Sequence, residues 1–143
     1  MITRQRATTG RRGAAAVEFA LVLPVMVLIA LGCVDFGRFA YHYIALKNAA
    51  RAGAEYAIMT PYTSSTQGAW ESAIQQKAQD EMTNQTGYDS TNLTTTTSVT
   101  IESTGLRRVT VTATYDSFTT IVSWPGLPSE NKLVAAVDMR SIR

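Results

Sequence analysis

The chain has 143 residues, room for one modest domain, and a net charge of +2 that is unevenly distributed. Residues 1–13 contain four arginines and no acid, which leaves nine basic against 11 acidic residues in the remainder. Without a basic excess, the folded part is not expected to bind nucleic acid. Its one cysteine and one histidine exclude an intrachain disulfide and the usual zinc site, so no metal and no cofactor is expected.

The segment after this basic leader is an apolar run long enough to cross a membrane. Residues 14–34 read AAAVEFALVLPVMVLIALGCV, and their only charged side chain is that of Glu18. A helix of this length spans about 30 Å, the thickness of a bilayer core. Because arginines precede the run, we expect a cytoplasmic N-terminus, a transmembrane helix over 14–34 and an extracytoplasmic domain over 35–143.

The apolar run has two other interpretations, a cleavable secretory signal and a lipoprotein signal. A cleavable secretory signal has a shorter apolar region, of about 7–15 residues, with a small-x-small site at its far end. Residues 30–33 (ALGC) faintly resemble a lipoprotein cleavage site, but the run before them is long and contains Glu18. The membrane-spanning helix therefore remains the preferred interpretation, with a cleavable signal and a lipoprotein as its rivals.

Glu18 is unusual because an acid at the centre of a bilayer costs on the order of 2.5–3.5 kcal/mol, and less near the interface. It lies either among the headgroups without a role or next to a cation. Residues 11–19 (RRGAAAVEF), a basic stretch, a glycine, small residues, Glu18 and the aromatic Phe19, resemble the processing site of type IV prepilins. The resemblance implies that a membrane prepilin peptidase cuts after Gly13 and makes Ala14 the new N-terminus.

Cleavage would create the cation that Glu18 lacks. In a low-dielectric core, the Ala14 amine of an adjacent subunit can pair with the Glu18 carboxylate and fix the register between the two helices. Within one chain Ala14 and Glu18 are also at positions i and i+4, so an intrachain contact is the alternative.

The resemblance extends over residues 11–59 and is closest to the TadE-like minor pseudopilins of tight-adherence (Tad/Flp) pilus systems. The matching segments are 17–21 (VEFAL), 35–38 (DFGR) and 48–54 (NAARAGA). The TadF and TadG groups have similar N-termini, and major Flp pilins are much shorter than this chain. The resemblance implies prepilin-peptidase processing, anchoring in the inner membrane with a periplasmic domain, and assembly of pili for adherence. The implied partners are other pilins and the Tad assembly platform.

Beyond the membrane the helical pattern continues to residue 59, and Pro61 ends it. One helix over 14–59 is therefore predicted, with a kink or loosening at Pro24. Small side chains recur every four residues along one face, which lets another element approach closely. That element is either the sheet of this protein or a helix of another pilin. The stripe consists of Ala45, Ala49, Gly53 and Ala57.

The remaining elements complete an α+β, pilin-like fold. Residues 69–84 show a one-sided helical pattern with a stop at Gly87, and residues 97–116 alternate with a period of two around a turn, as a β-hairpin does. Residues 117–124 are predicted to form a short helical or irregular crossover. A third strand follows through Leu133 and Met139, and the exported half of the long helix is expected to cover the apolar face of this three-stranded antiparallel sheet.

No catalytic motif is present, so neither an enzyme nor a small-molecule substrate is expected. His42 is expected to pack or to lie at the membrane interface. The preferred function is that of a minor pseudopilin acting in pilus assembly. The alternative is a membrane-tethered extracytoplasmic binding module that recruits a partner without entering a filament. The mature N-terminus distinguishes the two.

Overall fold

The computed structural model describes residues 9–83, 85–126, 128 and 130–141, with the side chains of the first helix described from residue 13 onwards. Residues 1–8 of the predicted leader lie outside the described residues. Two helices precede three strands, which confirms the predicted α+β class. The elements are α1 (Thr9–Met59), α2 (Gln67–Met82), β1 (Leu93–Ile101), β2 (Arg107–Thr119) and β3 (Glu130–Arg140).

α1 is one continuous helix of 51 residues, about 76 Å long. It begins at Thr9, earlier than the predicted residue 14, and therefore runs through the expected cleavage site. It also continues across Pro24 without a break. The large apolar side chains between Val17 and Val34 are exposed, and none of the most apolar window of the helix is buried by the rest of the described chain. This half of the helix therefore needs lipid or other helices to cover it.

The second half of α1 packs on the sheet, as predicted. Leu46, Ala49 and Ala50 are buried against Leu133 and Ala135 of β3 and against β2. α2 lies beside α1 and contributes Ile74 and Trp70 to a second cluster, which also contains Val109 and Val111 from the first part of β2. The small-residue stripe is thus covered by the protein's own helix and sheet.

At Gly53 these elements approach one another closely. A Cβ atom added there would lie 3.1 Å from Cγ2 of Ile74 and 3.4 Å from Cγ1 of Val111, so α1, α2 and β2 meet at this residue. Gly37, on the same helix, would place its Cβ in open space. Packing therefore limits the side chain at Gly53 but not at Gly37, although both residues lie in the same helix.

Alanine substitutions of these glycines should change stability in opposite directions. Gly37→Ala should stabilise the domain by about 0.5–1 kcal/mol, because alanine loses less backbone entropy in a helix. Gly53→Ala gains the same term but overpacks the core, at a cost of about 1–3 kcal/mol, and should be destabilising on balance. Denaturant unfolding of the chain in detergent micelles measures both. Changes of equal sign and size would contradict the packing at Gly53.

The sheet has the order β1-β2-β3 and is antiparallel throughout. Val99 pairs with Val109 and Val111 with Val137, so the predicted alternation places these valines on the face covered by the helices. Both hairpin strands are longer than predicted, because β1 begins at Leu93 and β2 ends at Thr119. The tight turn between them contains Gly105 at φ 77°, a conformation that favours glycine.

Two further predictions are corrected. The crossover expected over 117–124 is irregular only after β2 ends, because an irregularity between Tyr115 and Phe118 lets the strand continue and turns Phe118 into the core. The second helix spans Gln67–Met82 instead of 69–84, and Gly87, at φ 78°, lies in the turn that follows it.

Candidate functional site

The residues expected to form the processing site lie in the first turns of α1. Gly13 and Ala14 are consecutive, exposed helical residues, about one turn after the helix begins at Thr9. A Cβ atom placed on Gly13 would meet nothing within 4 Å. The peptide bond between them is therefore sterically open, but it is part of a helix. A peptidase must unwind this terminal segment before it can bind the bond, and helix ends open most easily.

Glu18 and Phe19 lie about one turn further along α1. Both side chains are exposed, and the Phe19 side chain has 66% of its surface free. Within the part of the chain whose side chains are described, no hydrogen bond or ion pair reaches the Glu18 carboxylate. The structure thus brings the four predicted site residues onto one short helical segment. It leaves the expected charge partner, the amine of a cleaved Ala14, to be tested.

A buried carboxylate marks the point where α1 leaves the apolar run. Asp35 is the one buried charged side chain among the described residues, and it holds the loop that joins β2 to β3. Its Oδ1 accepts a hydrogen bond from the backbone N–H of Ile121 (2.8 Å). Its Oδ2 accepts from the backbone N–H of Val122 (3.3 Å) and from Nε1 of Trp124 (3.0 Å). We call this set of contacts the Asp35 latch.

The charge on Asp35 is stabilised by these donors. The hydrogen bond from the Ile121 N–H, helped by Trp124 and Val122 and opposed by burial, lowers the pKa of Asp35 below its ordinary 3.8. Arg38 contributes from 3.7 Å and also donates to the carbonyl oxygen of Thr119 (3.3 Å). A lowered folded-state pKa means that the latch stabilises the fold above pH 3.8 and weakens only as the pH falls below that value.

Asp35→Ala should release the β2–β3 loop while leaving the sheet folded. The backbone N–H groups of Ile121 and Val122 lose their acceptor, so their hydrogen exchange should accelerate about tenfold or more. Hydrogen-exchange mass spectrometry of the full chain measures this. Asp116→Ala is the matched control, because Asp116 is exposed and forms only a surface ion pair with Lys132. Unchanged exchange at both loop residues in Asp35→Ala would show that the latch does not hold the loop.

A second group of charged side chains forms ion pairs at the surface of the sheet. Glu102 lies 2.7 Å from both Arg108 and Arg140, and the hydrogen bond from Arg108 lowers the pKa of Glu102.

His42 is half-buried against the ring of Phe118, with 5.6 Å between the ring centroids, and burial lowers the pKa of His42. His42 therefore packs, as expected. In the described ranges no three His, Cys, Asp or Glu side chains lie close enough together to hold a metal ion.

Sequence reasoning did not identify the Asp35 latch. Asp35 was noted only as a charge after the apolar run and as part of the DFGR segment. One signal was available: an acid directly after a membrane span, followed far along the chain by an uncharged stretch containing a tryptophan. Nothing in either segment shows that the two meet, because 86 residues separate Asp35 from Ile121.

One helix that is exposed and apolar in its first half and packed on a small sheet in its second half is a pilin-like arrangement. By length and composition its first half can cross a membrane once. The family model described as TadE-like protein matches residues 13–55, which confirms the resemblance over that segment. The match contains Gly13, Ala14, Glu18, Phe19 and Asp35 and ends before α2. It indicates involvement in the Tad pilus system, and the family is one of structural, pilus-related proteins. No curated protein and no solved structure matches the chain.

Proposed function

We propose that this protein is a minor pseudopilin of a Tad/Flp pilus. Prepilin peptidase cuts it after Gly13, and residues 14–34 then hold it in the inner membrane with the domain in the periplasm. It acts with other pilins and with the Tad assembly platform to build pili for surface adherence. The carrying observation is the TadE-like match over residues 13–55, which begins at the glycine of the proposed cleavage site.

The exposed half of α1 supports this proposal. The helix left after cleavage, residues 14–59, is about 69 Å long and apolar over 14–34. It can remain in lipid before assembly and pack beside neighbouring helices afterwards. Both environments satisfy the same exposed side chains, so transfer from one to the other does not require the domain to refold. A soluble domain would instead have to bury this surface within itself.

The chemistry of cleavage links the processing site to assembly. Hydrolysis breaks the C–N bond between Gly13 and Ala14, so that a carboxylate leaves with the leader and an amine remains on Ala14. The leader takes the four arginines with it and leaves one cation at the end of the helix. That cation and the Glu18 carboxylate lie about one helical turn apart along the axis. Helices staggered by this distance can pair amine with carboxylate between subunits.

Deletion and complementation in the native host test the proposed function. Loss of the protein should abolish or strongly reduce pili in electron micrographs and should reduce attachment to surfaces, and the full chain should restore both. A membrane-tethered binding module that never enters a filament predicts normal pili in the deletion strain. Normal pilus numbers without this protein would therefore refute the assembly role.

A further inference from the structure

The loop between β2 and β3 folds back onto the last turn of the apolar run. A Cβ atom on Gly32 would lie 3.4 Å from the Trp124 ring, which is ordinary van der Waals contact, so the indole lies against the helix at this residue. The Asp35 latch fixes Ile121 and Trp124 within one turn of that point. The loop is therefore held at the level of residues 32–35, where α1 passes from the apolar run into the domain.

The composition of this loop suits lipid better than water. The loop, residues 120–129, contains no charged side chain, although the rest of the domain is rich in charge. Ile121 is 57% exposed, and Trp124 and Val122 are half-buried. Tryptophan is enriched at the boundary of a bilayer, where its ring meets the acyl chains and its N–H finds a polar partner. Here that partner is the Asp35 carboxylate.

Two backbone N–H groups of the loop are paired in a way that suits a poorly hydrated position. Away from water, each backbone N–H needs an acceptor, because an unpaired donor is strongly unfavourable there. The N–H groups of Ile121 and Val122 both donate to Asp35, which lies on the neighbouring helix and not in the loop itself. In a water-exposed loop these donors would not require a buried carboxylate.

An apolar recess of about 340 Å³ lies between this loop and α1. Phe36, Phe39, Phe118, Trp124 and Leu133 line it, and Phe36 is strongly exposed beside it. Gly32 also lines the recess, so its wall continues directly into the membrane-spanning surface of α1. Because the two surfaces are continuous, the lipid that covers the helix also covers the recess.

We propose that the β2–β3 loop inserts into the outer interface of the membrane beside α1, with Trp124 and Ile121 in contact with lipid. The domain then rests on the bilayer at two points, the helix and the loop. Two points fix the rotation of the domain about α1 and determine which face of that helix is open to neighbouring proteins. This inference needs only the membrane anchor, so it does not depend on cleavage at Gly13 or on a role in pili.

The two tryptophans of the chain provide a matched test. Trp124 lies against Gly32, whereas Trp70 donates to the carbonyl oxygen of Thr60, just beyond the far end of α1. These points are about 40 Å apart along the helix axis. The full chain is reconstituted in vesicles of phosphatidylcholine and phosphatidylglycerol, with and without bromine on the acyl chains. The variant Trp70→Phe reports on Trp124, and Trp124→Phe reports on Trp70.

Brominated lipid should lower the emission of Trp124 about twofold and leave that of Trp70 nearly unchanged. Aqueous iodide should quench Trp124 no more in vesicles than it quenches the buried Trp70. If Trp124 is insensitive to brominated lipid and open to iodide, the loop lies in water and the proposal is wrong.

A second measurement avoids changing either tryptophan, in case Trp70→Phe disturbs the core. In a Cys33→Ala background, Ile121→Cys and Met59→Cys are labelled with a polarity-sensitive fluorophore. Both parent side chains are exposed, and Met59 lies at the far end of α1. The label at 121 should emit at shorter wavelength than the label at 59 in vesicles. Equal, water-like emission at both positions would overturn the proposal.

Discussion

Replacement of Gly13 by phenylalanine is expected to stop removal of the leader. The peptidase must accept an unwound backbone at the membrane surface, and a bulky ring next to the scissile bond obstructs that approach. A displacement of the bond by about 1 Å is enough to cost about 100-fold in rate, so we expect processing to fall by at least that factor. Intact-mass spectrometry of the chain produced with its native peptidase measures the processed fraction.

Gly10→Phe is the control for this variant. Gly10 lies in the same leader, about one helical turn before Gly13, so the substitution adds the same ring without touching the proposed cleavage bond. Processing of Gly10→Phe should remain normal. Normal cleavage of Gly13→Phe would remove the assigned role of Gly13. Equal loss in both variants would show that the ring disturbs the leader in general.

The second large effect is expected for Glu18→Ala, which should be cleaved normally but assembled poorly. The Glu18 carboxylate has no partner among the described side chains, and an unpaired acid in a low-dielectric fibre is unfavourable. Loss of the pair with the Ala14 amine of a neighbour removes the contact that fixes the register. We expect pilus number to fall about tenfold or more, since about 1.4 kcal/mol of association free energy corresponds to a factor of ten.

Glu55→Ala is the matched control, because Glu55 is an exposed glutamate in the second half of the same helix. Its replacement should leave pili unchanged. Glu18→Asp keeps the charge on a shorter side chain and should retain part of the pilus number of the unmodified protein. Immunoblots of membrane fractions must show equal amounts of each variant. Normal pili and normal surface attachment in Glu18→Ala would disprove the pairing of Glu18 with the amine.

The periodic parts of the fold were predictable because they repeat a local rule. Alternation from Val109 to Tyr115 predicted a strand with one buried face, and the unbroken apolar run predicted the long exposed helix. The prediction ended where the rule is interrupted. Beyond Tyr115 the irregularity before Phe118 breaks the alternation, so the last part of β2 was assigned to a crossover. β1 begins in a threonine-rich stretch whose few apolar residues gave only a weak pattern.

In the candidate site too, the residues of a local pattern were predictable and the contacts between distant residues were not. Gly13, Ala14, Glu18 and Phe19 lie within one short segment, and a local resemblance was therefore enough to select them. The Asp35 latch joins residues that are 86 positions apart, and its strength depends on the geometry of backbone N–H groups. No local pattern encodes that geometry. Gly53 was also not predictable from local sequence. A side chain is disfavoured there because Ile74 and Val111 approach from other elements, and not because of the helix to which Gly53 belongs.

The mature N-terminus tests the central claim most directly. The full chain is produced with its native prepilin peptidase, purified from membranes, and its first residue is determined by mass spectrometry of the intact protein and of its N-terminal peptide. The pseudopilin account predicts Ala14 as the first residue, with a free or N-methylated amine. A mature chain that begins at Met1, or at a residue beyond Gly32, would contradict it.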